Sequence, residues 1–594
     1  MLRTLFLAAL LSAVAAAPAL ADELKVGDVV EDLRFVDTRS LPRTLDELPG
    51  KKAYAVFFTT VKCPLVVRYL PRVVEIERAY RERGVQFLAL NVGPGDSLLD
   101  VATQQVEAEA GFPFGKDFSG EAATSLGVAR TTCVVVLDAE KRIRYRGRID
   151  DQYRFGGVRP QATRDDLEEA LEDVLAGKAV RVAETAWDGC AITQPQASAR
   201  EAAPTWAADV APLLNRHCVG CHRPGTEAPF SLLTYASARD NADMIEEVVV
   251  QRRMPPWFAS PKYGTFANHR GLEPGEVETI AAWVRAGTPQ GDPSAAPTPP
   301  EFPQLKWRIG EPDLVLRAPE QVTLPAQGYV PYKYVMLPQV FVDDTWVSGV
   351  EILPENRAAL HHANLAYLRM EDGFSKPHFI TGQVPGGEAL DLEPGLGFMI
   401  PQGAMLVLQI HYVTVGQETT DRLSVGIRYC KAPVQKQLKH LRIGDREFAI
   451  PPGEPGHRVT ASKTLPSDSL GIGMFVHMHL RGRDMKFVAH TPDGKSETLL
   501  LVPSYNFDWQ LAYEWGRDAP PRFPRGTKIE CVGHFDNSPF NPYNPDPKQT
   551  VKFGEQTYHE MFYGFFFYLD PDERLDVRVD PRTGLVRLEN DGAR

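Results

Sequence analysis

The sequence predicts a multidomain chain in three parts: an α/β block, a small all-α block and an all-β block. Three observations predict it. Two Pro-rich stretches, 194–204 and 287–303, interrupt the chain, and such stretches are semi-rigid spacers between folded units. Before the first, apolar strand patterns alternate with amphipathic helical ones. After the second, strand patterns are separated by turn-rich runs such as Asp536-Asn537-Ser538-Pro539. A length of 594 residues itself calls for several domains. The blocks are expected at 24–190, 205–290 and 303–594.

In the first block, residues 53–60 read as an apolar strand, 66–83 as an amphipathic helix and 85–92 as a second strand. Residues 134–137 and 142–147 make a hairpin, and Thr163 caps a helix ending near Gly177. This order, with Phe57-Phe58-Thr59-Thr60-Val61-Lys62-Cys63-Pro64 at the first strand-to-helix junction, resembles thioredoxin-like proteins and the nucleophile region of redoxins. A thiol at a helix N-terminus has its thiolate favoured by the helix dipole. The chain departs from those families at three points. Val66 stands where a thioredoxin C-x-x-C has its second cysteine, Val56 where peroxiredoxins have proline, and Thr131-Thr132-Cys133 where thioredoxins have a cis-proline. These departures point to a degenerate redoxin with a structural or docking role, with an active thiol enzyme as the competing reading. Cys63 and Cys133 are the redox candidates, expected to face each other with Cys63 capping the helix.

The helical block carries Cys218-Val219-Gly220-Cys221-His222. C-x-x-C-H reads as c-type haem attachment, two thiols forming thioethers and the histidine ligating iron. Zinc or a disulfide is the competing use of the two cysteines. The flanks, from Ala211-Pro212-Leu213-Leu214 to Ile280-Ala281-Ala282-Trp283-Val284, resemble a small cytochrome c. Met254, in Arg253-Met254-Pro255-Pro256-Trp257, is the candidate second axial ligand; simple packing is its bland reading.

The all-β block holds His361-His362, His411, His477-Met478-His479 and Met561. Two histidines two apart in a strand share a face, so His477 and His479 suit one ion. A thioether added to two imidazoles makes a soft site that suits copper(I), whereas three imidazoles accept copper or zinc. The adjacent pair His361-His362 cannot both point inward from a regular strand, so a bulge is expected there. The order and flanks of these residues, including His479-Leu480-Arg481-Gly482 and Glu560-Met561, resemble the copper type II, ascorbate-dependent monooxygenases. That is the family of peptidylglycine α-hydroxylating monooxygenase and dopamine β-monooxygenase. Carried over, His361, His362 and His411 hold a first copper, and His477, His479 and Met561 a second, catalytic one. The resemblance covers residues 305–580 and implies tandem jelly rolls, 303–432 and 433–580. His534 and His559 lie outside the family's ligand pattern and are the candidates to orient the ligand histidines, which need such neighbours. The amidating members carry arginine where Phe475 stands, and polar residues where Tyr563 and Phe565 stand. A neutral or aromatic substrate is therefore expected over a glycine-extended peptide. Cys531 should lack the family's disulfide, because Phe562 occupies its partner's position.

Residues 1–21 read as a signal peptide, with Arg3, an apolar run and Ala19-Leu20-Ala21 before the cut. Export with a c-type haem points to a bacterial periplasm, and no further apolar run is long enough for a membrane span. A net charge of −12 without a basic block excludes nucleic acid as the main partner. The function these readings imply is a copper-dependent monooxygenase acting on a small organic substrate with dioxygen. Its electrons would come through the fused haem, from a donor protein or from a small reductant such as ascorbate. The alternative is a periplasmic copper and haem protein for electron transfer or copper handling, without hydroxylase activity.

Overall fold

The computed structural model describes residues 23–48, 51–193, 202–226, 228–302, 306–373, 376–384, 387 and 389–587. The expected signal peptide and most of the first spacer lie outside the described residues. Two compact units are formed. One comprises Met1–Val36, Pro42–Gly95 and Pro113–Pro195; the other comprises Asp37–Leu41, Asp96–Phe112 and Gln196–Arg594.

The first unit is built on seven strands: β1 (Arg34–Asp37), β2 (Pro42–Thr44), β3 (Ala53–Thr59), β4 (Val85–Asn91), β5 (Phe114–Lys116), β6 (Val134–Asp138) and β7 (Ile143–Gly147). Their order is β2-β1-β5-β4-β3-β6-β7. β3 runs parallel to β4 and antiparallel to β6. Every residue of β3 is buried, which is why its sequence is a continuous apolar run instead of an alternating one. The helix Pro64–Tyr80 follows, with Cys63 at its N-cap and Pro64 at its first position, where a missing N–H costs nothing. The late helix spans Asp166–Leu175 and is preceded by Asp165. Thr163, the expected cap, instead gives its N–H to the Asp151 carboxylate at 2.7 Å.

In the second unit, helices Ala211–His217, Tyr235–Asp240, Ala242–Val250 and Pro274–Arg285 surround Val210, Leu214, Val219, Ile245, Ile280 and Trp283. Composition suggested that this block stands alone, but its connecting segment does not. Trp257, Ala259 and Phe266 are buried in the core of the β region that follows, and Trp257 meets Tyr513 edge-on at 5.1 Å. An indole buries more apolar area there than four short helices have room to cover.

The β region is two sandwiches in series. In the first, the sheet Lys333–Phe341, Ala404–Tyr412, Leu360–Arg369, His378–Gln383 packs against one centred on Thr345–Leu353 and Ser424–Tyr429. Leu406, Leu408 and Ile410 reach the shared core together with Val350, Ile352 and Ile427. Lys436–Gln437 still pairs with Leu396–Gly397 of the first sandwich, slightly beyond the expected boundary at 432. In the second, Lys439–Asp445, Phe562–Leu569 and Ser469–Met478 form one sheet. His457–Thr464, Lys528–Phe535, Gly482–His490 and Ser496–Val502 form the other. Among the described residues no helix is long and apolar enough to cross a membrane.

Candidate metal centres

His362 and His411 are direct partners in the ladder between Leu360–Arg369 and Ala404–Tyr412, and the register shifts between Leu360 and His362. This is the expected bulge, and it lets adjacent histidines serve one point. The ring centroids of His361, His362 and His411 lie 4.9 to 5.2 Å apart. Their ligating atoms all fall within 4.8 Å of one another, and among the described residues this is the group of three or more His, Cys, Asp or Glu that converges so. Nδ1 of His361 lies 3.0 Å from Nδ1 of His362, while the Nδ1 of His411 is buried without a partner. The outer nitrogens are held: His361 Nε2 by Asp508 at 2.8 Å and His362 Nε2 by the Tyr332 hydroxyl at 3.4 Å. A buried ring nitrogen left without a partner is costly, and a bound metal satisfies it. Burial, then the neighbouring imidazoles, holds His362 well below the usual histidine range and takes His411 to about 4. Neutral imidazole is the ligating form. The residues fit a three-nitrogen metal site.

The second set is arranged the opposite way round. His477 lies in Ser469–Met478, whose pairing with Phe562–Leu569 ends at Met478 opposite Phe562. His479 and Met561 are the next residues beyond that last pair, so His479 sits one residue past the strand that was expected to carry it. The two imidazoles stand at 89° with centroids 5.3 Å apart. His477 Nδ1 meets the Gln510 side-chain oxygen at 2.7 Å, and His479 Nδ1 meets the His559 carbonyl at 3.3 Å. Holding Nδ1 leaves Nε2 as the donor toward a metal. Burial keeps both rings below the usual range. His559 thus serves through its backbone. His534, the other expected neighbour, instead pairs with Asp484 at 2.7 Å.

A segment that the sequence reading passed over joins the two sets. Phe507 stacks on His361 at 5.1 Å and lies 5.9, 6.2 and 6.1 Å from His362, His411 and His479. Its neighbours are the residues that anchor the histidines, Asp508 for His361 and Gln510 for His477. Tyr505 fixes the segment by donating its hydroxyl to the Met478 carbonyl at 2.7 Å. Asp508→Ala is expected to lower copper affinity at the first set about 10- to 100-fold, the usual cost of losing a ligand's outer partner. Competition with a copper(I) chelator measures this, and an unchanged affinity would show that the contact is idle.

In the helical block, His222 donates its N–H to the Cys218 carbonyl at 2.9 Å, which keeps the motif in one tight turn. His222 Nδ1 faces the Phe230 carbonyl at 3.3 Å, so Nε2 is the nitrogen available for iron. Cys218 and Cys221 are free thiols, and Trp206 Nε1, in the same core, is buried without a partner. These residues fit a covalent haem. Met254 lines a cavity of about 310 Å³ with Arg252, Trp257, His479, Phe507 and Asp508; Cys218, Cys221 and His222 are not among its walls. Met254 thus shares a cavity with His479, the consequence of Trp257 pulling this segment onto the sandwich.

Beside His477, the sheet carries an aromatic face. Tyr563 pairs with His477, Phe565 with Phe475, and Arg442 with Phe565. Arg446 donates to the Tyr563 hydroxyl at 2.7 Å, and Arg442 lies 5.4 Å from that ring. Two cations thus stand against Tyr563 on this face, Arg442 from the neighbouring strand and Arg446 just past its end.

The redoxin thiols differ from expectation. Cys63 faces Cys190, with sulfurs 2.8 Å apart, and receives the Thr131 hydroxyl at 3.2 Å. Cys133 is turned away: Thr132 takes a left-handed φ of 64°, and the Cys133 thiol is buried against the Val134 carbonyl. Burial pushes it far above the usual thiol range. Cys531 is a free buried thiol, as Phe562 implied.

The α/β unit with a thiol at its first helix is a redoxin-like domain. The family profile described as Redoxin matches residues 25–163. A hypothetical protein from Sinorhizobium meliloti 1021 is 28% identical, over 30% of this chain and 97% of that one, with a TM-score of 0.27. An uncharacterised conserved protein from Geobacillus kaustophilus is 22% identical, over 29% of this chain and 93% of that one, TM-score 0.27. The thioredoxin domain of a thiol-disulfide oxidoreductase from Bacteroides vulgatus is 15% identical, over 26% of this chain and 99% of that one, TM-score 0.21. No curated protein matches the chain.

Proposed function

We propose that this chain is an exported, periplasmic copper-dependent monooxygenase that hydroxylates a small organic substrate, with electrons relayed through a haem held by Cys218, Cys221 and His222. The observation that supports it most is the pair of histidine sets turned opposite ways, with Nδ1 gathered among His361, His362 and His411 and Nδ1 held from outside at His477 and His479, on either side of Phe507. The overall reaction is R–H + O₂ + 2e⁻ + 2H⁺ → R–OH + H₂O. His361, His362 and His411 would hold one copper and His477, His479 and Met561 the other; when bound, the pair would supply one-electron exchange, with the softer set suited to dioxygen. The chain's own residues do the rest. Asp508, Tyr332 and Gln510 fix which nitrogen each ring offers. Phe475 and Phe565 give an apolar floor beside His477, with Tyr563 and Arg446 at its polar end. A substrate with an apolar body and an acidic group fits that face. Met254 and His479 line one cavity, which supports electron delivery from the helical block to the second set.

The test is oxygen uptake by the copper- and haem-loaded chain across aromatic and aliphatic acids, with products followed by mass spectrometry. Coupled uptake and hydroxylated product are expected. Uptake without product across the whole screen would favour an electron-transfer or copper-handling role. Stopped-flow mixing of reduced haem with oxidised copper sites tests the relay, and haem that is not reoxidised on the turnover timescale rejects it.

A further inference from the structure

We infer that Cys63 and Cys190 form a thiol–disulfide couple, with Cys190 as the sulfur that meets an external dithiol and Cys63 as the buried sulfur that leaves. The two positions are 127 residues apart in sequence, and their sulfurs are 2.8 Å apart. The approach is built by a small ladder. Thr131 gives its N–H to the Cys190 carbonyl at 2.9 Å, and Ile192 gives its N–H to the Ala129 carbonyl at 2.9 Å. The Cys190 N–H returns to the Thr131 hydroxyl at 3.0 Å. Arg130 binds the Gly189 carbonyl at 2.9 Å. A Cβ on Gly189 would stand 1.9 Å from the Thr131 carbonyl oxygen, so only glycine permits this closeness.

The two sulfurs have different surroundings. Cys63 is 1% exposed, while Cys190 is partly accessible. Cys63 caps the helix Pro64–Tyr80, at the positive end of its dipole. Burial raises its thiol, but hydrogen bonds from the Cys190 thiol, the Thr131 hydroxyl and the Val66 amide outweigh this and bring it below the ordinary value. The hydrogen bond with Cys63, then burial, pushes Cys190 up to about 11. In exchange, the thiolate of lower pKa leaves faster. An external thiolate attacks the Cys190 sulfur of the Cys63–Cys190 disulfide, forming a mixed disulfide and expelling the Cys63 thiolate. The reductant's second thiolate then attacks its own sulfur in that mixed disulfide, closes the reductant's disulfide and releases Cys190, which takes a proton from solvent. The net change is protein disulfide plus dithiol giving protein dithiol plus disulfide. Cys133 has no part in it.

The full chain is equilibrated in buffers of reduced and oxidised dithiothreitol, quenched with a thiol-blocking reagent, digested and mapped by mass spectrometry. The expected result is one cross-linked peptide pair, Cys63 with Cys190, two hydrogens lighter than the dithiol, while Cys133, Cys430 and Cys531 stay reduced. No cross-link, or a link from Cys63 to Cys133, overturns the couple. The oxidised chain is then mixed briefly with the monothiol glutathione, quenched in acid and mapped. Glutathione is expected on Cys190; glutathione on Cys63 overturns the assigned order of attack.

Discussion

Met561→Ala is expected to reduce substrate-coupled oxygen uptake at least about a hundredfold while leaving the first copper in place. Met561 is half-buried and lies one residue before the strand Phe562–Leu569. It is not part of the aromatic and aliphatic core that the following residues Phe562 and Phe566 complete. Truncation therefore removes a soft donor without opening a core cavity, and the thermal midpoint should move by little. The remaining His477 and His479 make a harder, two-nitrogen site that holds copper(I) less well. The measurements are oxygen uptake, copper content and thermal midpoint on one preparation. A parental rate at full copper loading would show that Met561 is not a ligand that matters.

The sequence made the histidine sets legible and the residues that hold them obscure, for one physical reason. A ligand is written as a residue type in an ordered context, as in His361-His362 or His477-Met478-His479. A support such as Asp508 or Gln510 acts from an irregular segment with no periodicity, and any polar residue reads as solvated loop there. Its role depends on folding back onto His361 and His477. Cys190 was hidden in the same way. The resemblance directed attention to the loop opposite the helix start, where Thr131 and Cys133 stand, whereas the partner comes from a segment beyond the hairpin and last helix. Trp257 shows the converse error. Its neighbours suggested a haem domain, but long-range burial decided its place.

Glu560→Ala is expected to destabilise the second sandwich by about 3 kcal/mol and to weaken the second copper site with it. Glu560 is fully buried. Its carboxylate accepts the backbone N–H of His479 at 2.9 Å and that of Arg481 at 2.6 Å, so one side chain fixes the residue bearing a ligand and the turn after it. Burial pushes its carboxyl up to about 8, against the pull of the Arg481, His479 and Met561 amides and the Arg481 guanidinium. Arg481 is itself only 2% exposed, held by Asn537 and the Tyr558 carbonyl at 3.0 Å each. Alanine would leave the two buried amides of His479 and Arg481 without acceptors. Each such loss costs on the order of 1–3 kcal/mol, which is why the total exceeds that of an ordinary surface change. Glu560→Gln keeps one acceptor oxygen and should fall between the parent and Glu560→Ala. Thermal unfolding of the three chains, with copper(I) competition at the second set, separates this from the Met561 effect. Met561→Ala loses copper affinity with the fold intact, whereas Glu560→Ala loses both. A Glu560→Ala chain with unchanged midpoint and unchanged copper affinity would mean that His479 is positioned by something else.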